Sequence, residues 1–153
     1  MSTTCTRTLY AGWGDMDANG HMRNTAYLDK SADLRMMFFA EHGFPVSEFQ
    51  RLRFGPAVKK DEIVYYREFS LLDEIRASLR VAGQADDGSR FKLQNDFHRT
   101  DGQIAASVIS IGGWLDREAR RLRAPPPELL AVMNSLPKTE DFEVMPSSVK
   151  KPG

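Results

Sequence analysis

The chain has 153 residues, 41% of them hydrophobic and 27% charged, which suits one soluble domain long enough to bury a core. Lys plus Arg and Asp plus Glu balance at 21 each, which excludes a surface built to attract nucleic acid or an anionic membrane; an anionic ligand must be gripped by local positive charge. The single cysteine, Cys5, excludes an intrachain disulfide, and with no bilayer-length apolar run and no signal-peptide core in "MSTTCTRTLY" it predicts a cytoplasmic setting.

In chain order, Cys5 to Gly14 is rich in threonine and aromatics and reads as a strand. A polar, turn-rich loop follows, "WGDMDANGHMRN", residues 13–24. Residues 24–43, "NTAYLDKSADLRMMFFAEHG", have no proline and no internal glycine before Gly43. Tyr27, Leu34 and Phe38 share one face, with Leu28, Ala32 and Phe39 on the neighbouring stripe, so this is one helix of about 18 residues, roughly 27 Å long. Its last turns are apolar all round and predict burial on more than one side, and Gly43 followed by Pro45 supplies the stop.

From Ala57 to Leu115 the pattern is that of strands. "KKDEIVYYREF" is one, with Ile63, Tyr65 and Phe69 on one side. In "EIRASLRVAGQ", Ile75, Ala77, Leu79 and Val81 alternate with Arg76, Ser78 and Arg80; in "RFKLQNDFHR", Phe91, Leu93 and Phe97 alternate with polar residues. "ADDGS" and "TDGQ" are turns. "IAASVISIGGWL" is apolar or small on both faces, which predicts a central strand covered on both sides, and Gly112-Gly113 predicts a bulge or a close backbone approach. "PPPELLAVMNSL" predicts a short helix opened by proline. The segment 137–153 is expected to be an extended or poorly ordered tail. One helix cannot cover both faces of so wide a sheet, so a curled sheet wrapping the long helix is the economical α+β solution, and a second subunit would cover the surface left over.

The loop at 13–24 admits three readings. Asp15, Asp17, Asn19 and Gly20 match the front of a calcium loop, but the glutamate needed at its twelfth position is replaced by Ala26, and His21, His42 and His98 show no tight ligand spacing. Metal binding is therefore not expected. The second reading is capping: Asn24 suits an N-cap, and Asn19-Gly20 suits a turn with positive φ. That leaves two carboxylates and a histidine unexplained. The third reading adds catalysis, and the residue pattern by itself leaves capping alone and capping with catalysis equally open.

The physical case for chemistry rests on the helix start, whose unpaired N–H groups and partial positive charge can hold a polarised carbonyl oxygen. A carboxylate beside it can attack the carbonyl or draw a proton from water. One carboxylate suffices if the leaving group is good, and a thiol, with a pKa near 8.5, leaves far more readily than an alkoxide or amine. An activated acyl thioester is the substrate this arrangement suits.

"WGDMDANGHMRNTAYLDKSADLR" resembles the signature of the hotdog-fold acyl-CoA thioesterases of the 4-hydroxybenzoyl-CoA thioesterase type. Their pattern W-x-D-x-D-x-x-G-H-x-N-N-x-x-Y leads from a strand into a central helix, and a looser likeness continues through "LLDEI" and "LDREARRLRAPPPEL" to about Met133. The resemblance implies an antiparallel sheet of about five strands wrapped around one long central helix, as a single domain over residues 1–136. It makes Asp17 the catalytic carboxylate, as nucleophile or general base, and places Asn24 where a backbone N–H at the helix start holds the thioester carbonyl. His21 and Asp15 belong to the motif, with His21 expected to orient a partner and Asp15 expected among the residues that bind substrate; Arg23 replaces the usual asparagine.

With the resemblance in place, Trp13, Tyr27 and Phe54 are expected to line an acyl pocket. Arg90, with Arg117, Arg120, Arg121 and Arg123, is expected near the phosphates of coenzyme A. The family implies a homodimer or a homotetramer with sites between subunits, an acyl-CoA substrate, and no cofactor beyond the coenzyme A that the substrate carries. Two other activities fit the same reading: a hotdog hydratase or dehydratase acting on acyl thioesters, or a non-catalytic acyl-CoA-binding module.

Overall fold

Period-two alternation along the strands, interrupted at a pair of glycines, accounts for most of the architecture in the computed structural model, which describes residues 5–149. The elements run β1 (Thr6–Tyr10), a 3₁₀ turn (Trp13–Asp15), α1 (Asn24–Glu41), α2 (Val46–Leu52), β2 (Phe54–Tyr65), β3 (Glu74–Ala85), β4 (Arg90–His98), β5 (Ile104–Asp116), β6 (Arg121–Arg123), α3 (Pro127–Asn134) and β7 (Lys138–Met145). The strands make one seven-stranded sheet. Its continuous path is β1-β3-β4-β5-β2, with β6 paired to β5 and β7 to β3. All pairings are antiparallel except that of β7 on β3.

The inward alternation is as the sequence predicts: Ile75, Ala77, Leu79 and Val81 on β3 and Phe91, Leu93 and Phe97 on β4 are buried. Against this face lies α1, burying Tyr27, Leu34, Phe38 and Phe39. Tyr27 meets Phe97 edge-on with ring centres 5.5 Å apart, and Phe39 meets Trp114 at 5.7 Å. Trp114 is the hub of the core. Phe39, Phe49, Phe54 and Phe91 surround it at 5.4 to 6.1 Å, and its indole N–H donates to the Gly88 carbonyl at 3.1 Å. Each such pair adds about 0.5–1.5 kcal/mol beyond the area it buries.

The expected close approach at Gly112-Gly113 is present. A Cβ on Gly112 would sit 2.1 Å from the Ala57 carbonyl oxygen, and one on Gly113 would sit 2.6 Å from that of Ser89. The β2–β5 register slips between Val58 and Lys60, opposite Gly112 and Ile111, so the bulge lies on β2. The second face of β5 is less covered than expected, since Ile109 and Ile111 are only half-buried in the single chain.

The expected sheet of about five strands and one long helix is smaller than the one found, which has seven strands and three helices among the described residues. α2 escapes a periodicity reading because seven residues are two turns; Pro45 opens it, Phe49 anchors it, and Arg53 closes it at φ 55°. Part of the segment expected as a tail, Lys138–Met145, is extended and built into the sheet. β1 pairs with the first half of β3 and β7 with the second, end to end, so that β3 offers no open edge. β2 is the long edge strand that remains.

Candidate active site

Residues 13–24 fold as a tight loop whose arms meet at an isolated bridge between Met16 and Met22. Asp17 N–H donates to the His21 carbonyl at 2.8 Å, and Gly20 N–H donates to the Asp17 carbonyl at 3.1 Å. Gly20 has φ +80°, the left-handed conformation that an Asn-Gly pair supplies at little cost. The Asp17 carboxylate closes the loop further: its Oδ1 accepts the backbone N–H of Asn19 at 2.9 Å and that of His21 at 3.1 Å. Oδ2 receives no donor among the described residues. The loop is then stitched to residues 68–70. Met22 N–H donates to Phe69 O at 2.8 Å, His21 bridges to Ser70, and the His21 Nε2 lies 3.1 Å from Glu68 Oε2.

The other carboxylate of "DMD" has a different task. Asp15 Oδ2 accepts the Gly12 N–H at 2.8 Å and the Lys30 ammonium at 2.9 Å, tying the 3₁₀ turn to α1. Burial opposes ionisation of Asp15, but the Lys30 bond, the Gly12 N–H and the charges of Lys30 and Arg23 outweigh it and hold the carboxyl below its ordinary value. Asp15 thus holds the loop onto the helix through Oδ2.

The sign of the resulting pH dependence follows from that depression. The stabilisation is fully present above the ordinary aspartate value and is lost as pH falls through the lower folded value. Asp15→Asn is therefore expected to lower Tm by a few degrees near neutrality. The gap to wild type should close as pH drops through the aspartate range and below it, and a gap independent of pH would show that the charge is not what matters.

At the helix start the expected cap is displaced by one residue. Arg23, at φ −67° and ψ 153°, is the N-cap, and Asn24 is the first helical residue. Arg23 bonds the Thr25 hydroxyl at 2.9 Å and the Gly14 carbonyl with its side chain, while its N–H donates to Asp15 O at 2.7 Å. The backbone N–H groups of Asn24 and Thr25 donate to nothing among the described residues, while that of Ala26 turns back to Arg23 O at 3.0 Å. The Tyr65 hydroxyl donates to Asn24 O at 3.2 Å, and its ring meets that of Tyr27 edge-on at 5.2 Å. Burial, then the neighbouring Tyr65, then the carboxylates of Glu68 and Asp17, push the Tyr27 hydroxyl up to about 12. It stays protonated, able to donate, at any physiological pH.

Asp17, His21, Asn24 and Tyr27 are thus gathered at one end of α1. The remaining expected site residues are elsewhere or differently engaged. Trp13 stands in the 3₁₀ turn with 83% of its surface exposed. Phe54 is fully buried against Phe49 and Trp114, with the Arg123 guanidinium 5.0 Å from its ring centre, and it lines a pocket with Met36, Val46 and Gln50 rather than with residues of the loop. Arg90 bonds the Ser148 hydroxyl at 3.2 Å and sits with Lys59 and Lys60 around a groove at Gly112-Gly113. Of the other arginines expected near phosphate, Arg117 donates to Phe49 O at 3.2 Å. Sequence reading missed Lys30, Glu68 and the role of Tyr65. The parity of Ile63 and Tyr65 on one strand was the available signal for Tyr65; nothing local links Asp15 to Lys30 or His21 to Glu68.

In the single chain Asp17 and Asn24 are exposed, as are the nearby Trp13 and Leu72, the latter at 72%. Among the described residues no group of three or more His, Cys, Asp or Glu side chains is placed to hold a metal ion, and no helix is long and apolar enough to cross a membrane.

A model of the thioesterase-like superfamily matches residues 11–133, which takes in the loop, α1 and the sheet as far as α3. No curated protein sequence matches the chain significantly. Solved structures do resemble it. A hypothetical protein from Staphylococcus aureus in complex with CoA superposes with a TM-score of 0.79 at 21% identity, over 90% of this chain and 88% of that one. A gentisyl-coenzyme A thioesterase gives 0.74 at 19% identity, over 84% and 98%. A 1,4-dihydroxy-2-naphthoyl-CoA thioesterase from Synechocystis gives 0.78 at 13% identity, over 86% and 96%. At these identities the likeness is one of fold.

Proposed function

The chain belongs to the thioesterase-like superfamily, and from that membership we propose that it hydrolyses an acyl-CoA thioester to the free acid and CoA on a hotdog domain whose sheet curls round α1. The observation that carries this reading is the state of Asp17. One of its oxygens is anchored by two backbone N–H groups and the other is open, within the matched segment and on the loop that feeds the free N–H groups of Asn24 and Thr25. Those N–H groups receive the thioester carbonyl oxygen and the negative charge that grows on it. Asp17 either attacks the carbonyl carbon or takes a proton from the water that does, and the thiolate leaves without needing a strong acid. His21, held by Glu68, positions the loop.

Neighbours named as CoA thioesterases, and one that holds CoA, support coenzyme A as the carrier. Because Asp17 faces solvent in one chain, the reading requires a homodimer or a dimer of dimers whose second copy walls in the cleft. Exposed Trp13 and Leu72 near the loop and the open edge of β2 are the surfaces available for it.

The test is a panel of acyl-CoAs varied in length, aromaticity and polarity, followed with a thiol-reactive dye and by mass spectrometry of the acyl product. Free CoA and free acid are expected from at least one of them. An altered acyl chain still joined to CoA would make the protein a hydratase or dehydratase. Thermal stabilisation by acyl-CoA without turnover across the panel would make it a binding module. Full activity from a demonstrated monomer would remove the second copy from the reading.

A further inference from the structure

Midway along α1, three turns from the loop, a charged group is buried with nothing to pair it. Arg35 is nine-tenths buried, and its guanidinium donates no hydrogen bond and makes no ion pair among the described residues. Nη1 in particular is sealed from solvent without a partner. The charge of Asp61 acts on Arg35 from a distance, but the Asp61 carboxylate is bonded to the Ser110 hydroxyl. A buried, unpaired cation is among the costliest features a fold can carry, so an occupant that pairs it is expected.

Arg35 opens on a cavity of about 170 Å³ whose other walls include Met36 and Phe39 on α1, Val58 on β2, and Phe91 and Leu93 on β4. Val58 and Phe91 are both direct partners of Gly112 across the sheet and so share the face of it that meets α1, where the cavity lies. An engineered apolar cavity of roughly 150 Å³ takes up benzene, so this one has room for a ring or a short aliphatic chain. A guanidinium forms two parallel bonds to a carboxylate, and the surrounding walls are otherwise apolar.

We propose that Arg35 and this cavity form a binding site for a carboxylate carried on a compact apolar body. Two sources supply that chemistry: a free short carboxylic acid, or the far end of an acyl group that bears its own carboxylate. Arg35 lies roughly 16 Å along the helix axis from Asn24, so the second source calls for a long-chain dicarboxylic acyl thioester. The free-acid arm is independent of the hydrolase reading; the second arm rests on it.

The experiment measures thermal stabilisation and calorimetric binding of benzoate and hexanoate to the wild-type protein and to Arg35→Met, with benzyl alcohol and hexanol as uncharged controls. Methionine keeps the length and apolar stem of the side chain, and removing an unpaired buried charge is expected to leave the variant folded and at least as stable. The expected result is that the acids raise Tm of the wild type, that the alcohols do not, and that Arg35→Met binds the acids at least about tenfold more weakly, the loss of one charge-assisted bond. No acid binding to the wild type, or equal binding to both proteins, overturns the site; a carboxylate of a second copy already seated on Arg35 would give the former. In the second arm, hexadecanedioyl-CoA and hexadecanoyl-CoA are compared as substrates. A preference for the diacid that vanishes in Arg35→Met assigns the site to the acyl group, and acid binding without such a preference assigns it to a free acid. Failure of both thioesters to be hydrolysed would count against the hydrolase reading and leave the binding result standing.

Discussion

Asp17→Asn is expected to lower kcat for acyl-CoA hydrolysis at least about a hundredfold, the scale on which a positioned acid–base or nucleophilic group acts, while the variant unfolds within a few degrees of the wild type. The expectation of an intact fold comes from the loop itself. Asparagine retains a side-chain oxygen that can accept the Asn19 and His21 N–H groups, so the turn closes as before. What it lacks is the negative charge on the open oxygen. Turnover near that of wild type would remove Asp17 from the mechanism. Its role is separable in the same preparation: if Asp17 attacks, the thiolate leaves an acyl–aspartyl anhydride, and its opening by ¹⁸O water at the Asp17 carboxyl carbon in a single turnover marks the protein and leaves the acid free of label, an outcome that a general base cannot give.

The largest expected effect on stability is at Gly112. In Gly112→Ala the new Cβ would stand 2.1 Å from the Ala57 carbonyl oxygen and 3.0 Å from the Val58 Cα, both backbone atoms with no rotamer to escape into. β2 would have to move away from β5 at its bulge, loosening the edge strand that carries Pro56, Val58 and Asp61 over α1. A cost of at least about 3 kcal/mol is expected in urea unfolding, the upper end of the usual overpacking range. Gly55→Ala is the matched control on the same strand, since nothing lies within 4 Å of the position its Cβ would take; it should change stability by no more than about 0.5 kcal/mol. Equal stability of the two variants would show that the strands are not so closely apposed.

Much of this was legible because it is local. The helix over residues 24–41 carries its own period and its own stop; the strands carry theirs; the Asn-Gly turn states its need for positive φ. The signature through Asp17 and His21 is a contiguous stretch, so it could be read as a unit. Where the reading strayed, the deciding partner lay far along the chain. Phe54 is an aromatic shortly after the long helix, and only its burial against Trp114, sixty residues on, places it beside α2 rather than at the loop. Asp15 and Asp17 are alike in residue type and local setting, told apart in the sequence only by the motif, and Lys30 separates them physically by taking Asp15. β7 alternates only over Asp141 to Val144, too short a stretch to read alone, and becomes a strand because β3 has an edge left to pair.

The sequence by itself therefore determined the long helix and the main strands in their order, the inward faces of β3 and β4, the place where two backbones must touch and the loop in which chemistry is expected. These follow from side-chain period and backbone freedom, which a chain possesses before it folds. Only the tertiary structure decided that Lys30 takes Asp15, that Arg23 rather than Asn24 caps the helix, and that Arg35 lies buried with no bonded partner among the described residues. Those outcomes depend on which groups meet across the core and on how much water is left around them, and neither is a property of any short stretch of the chain.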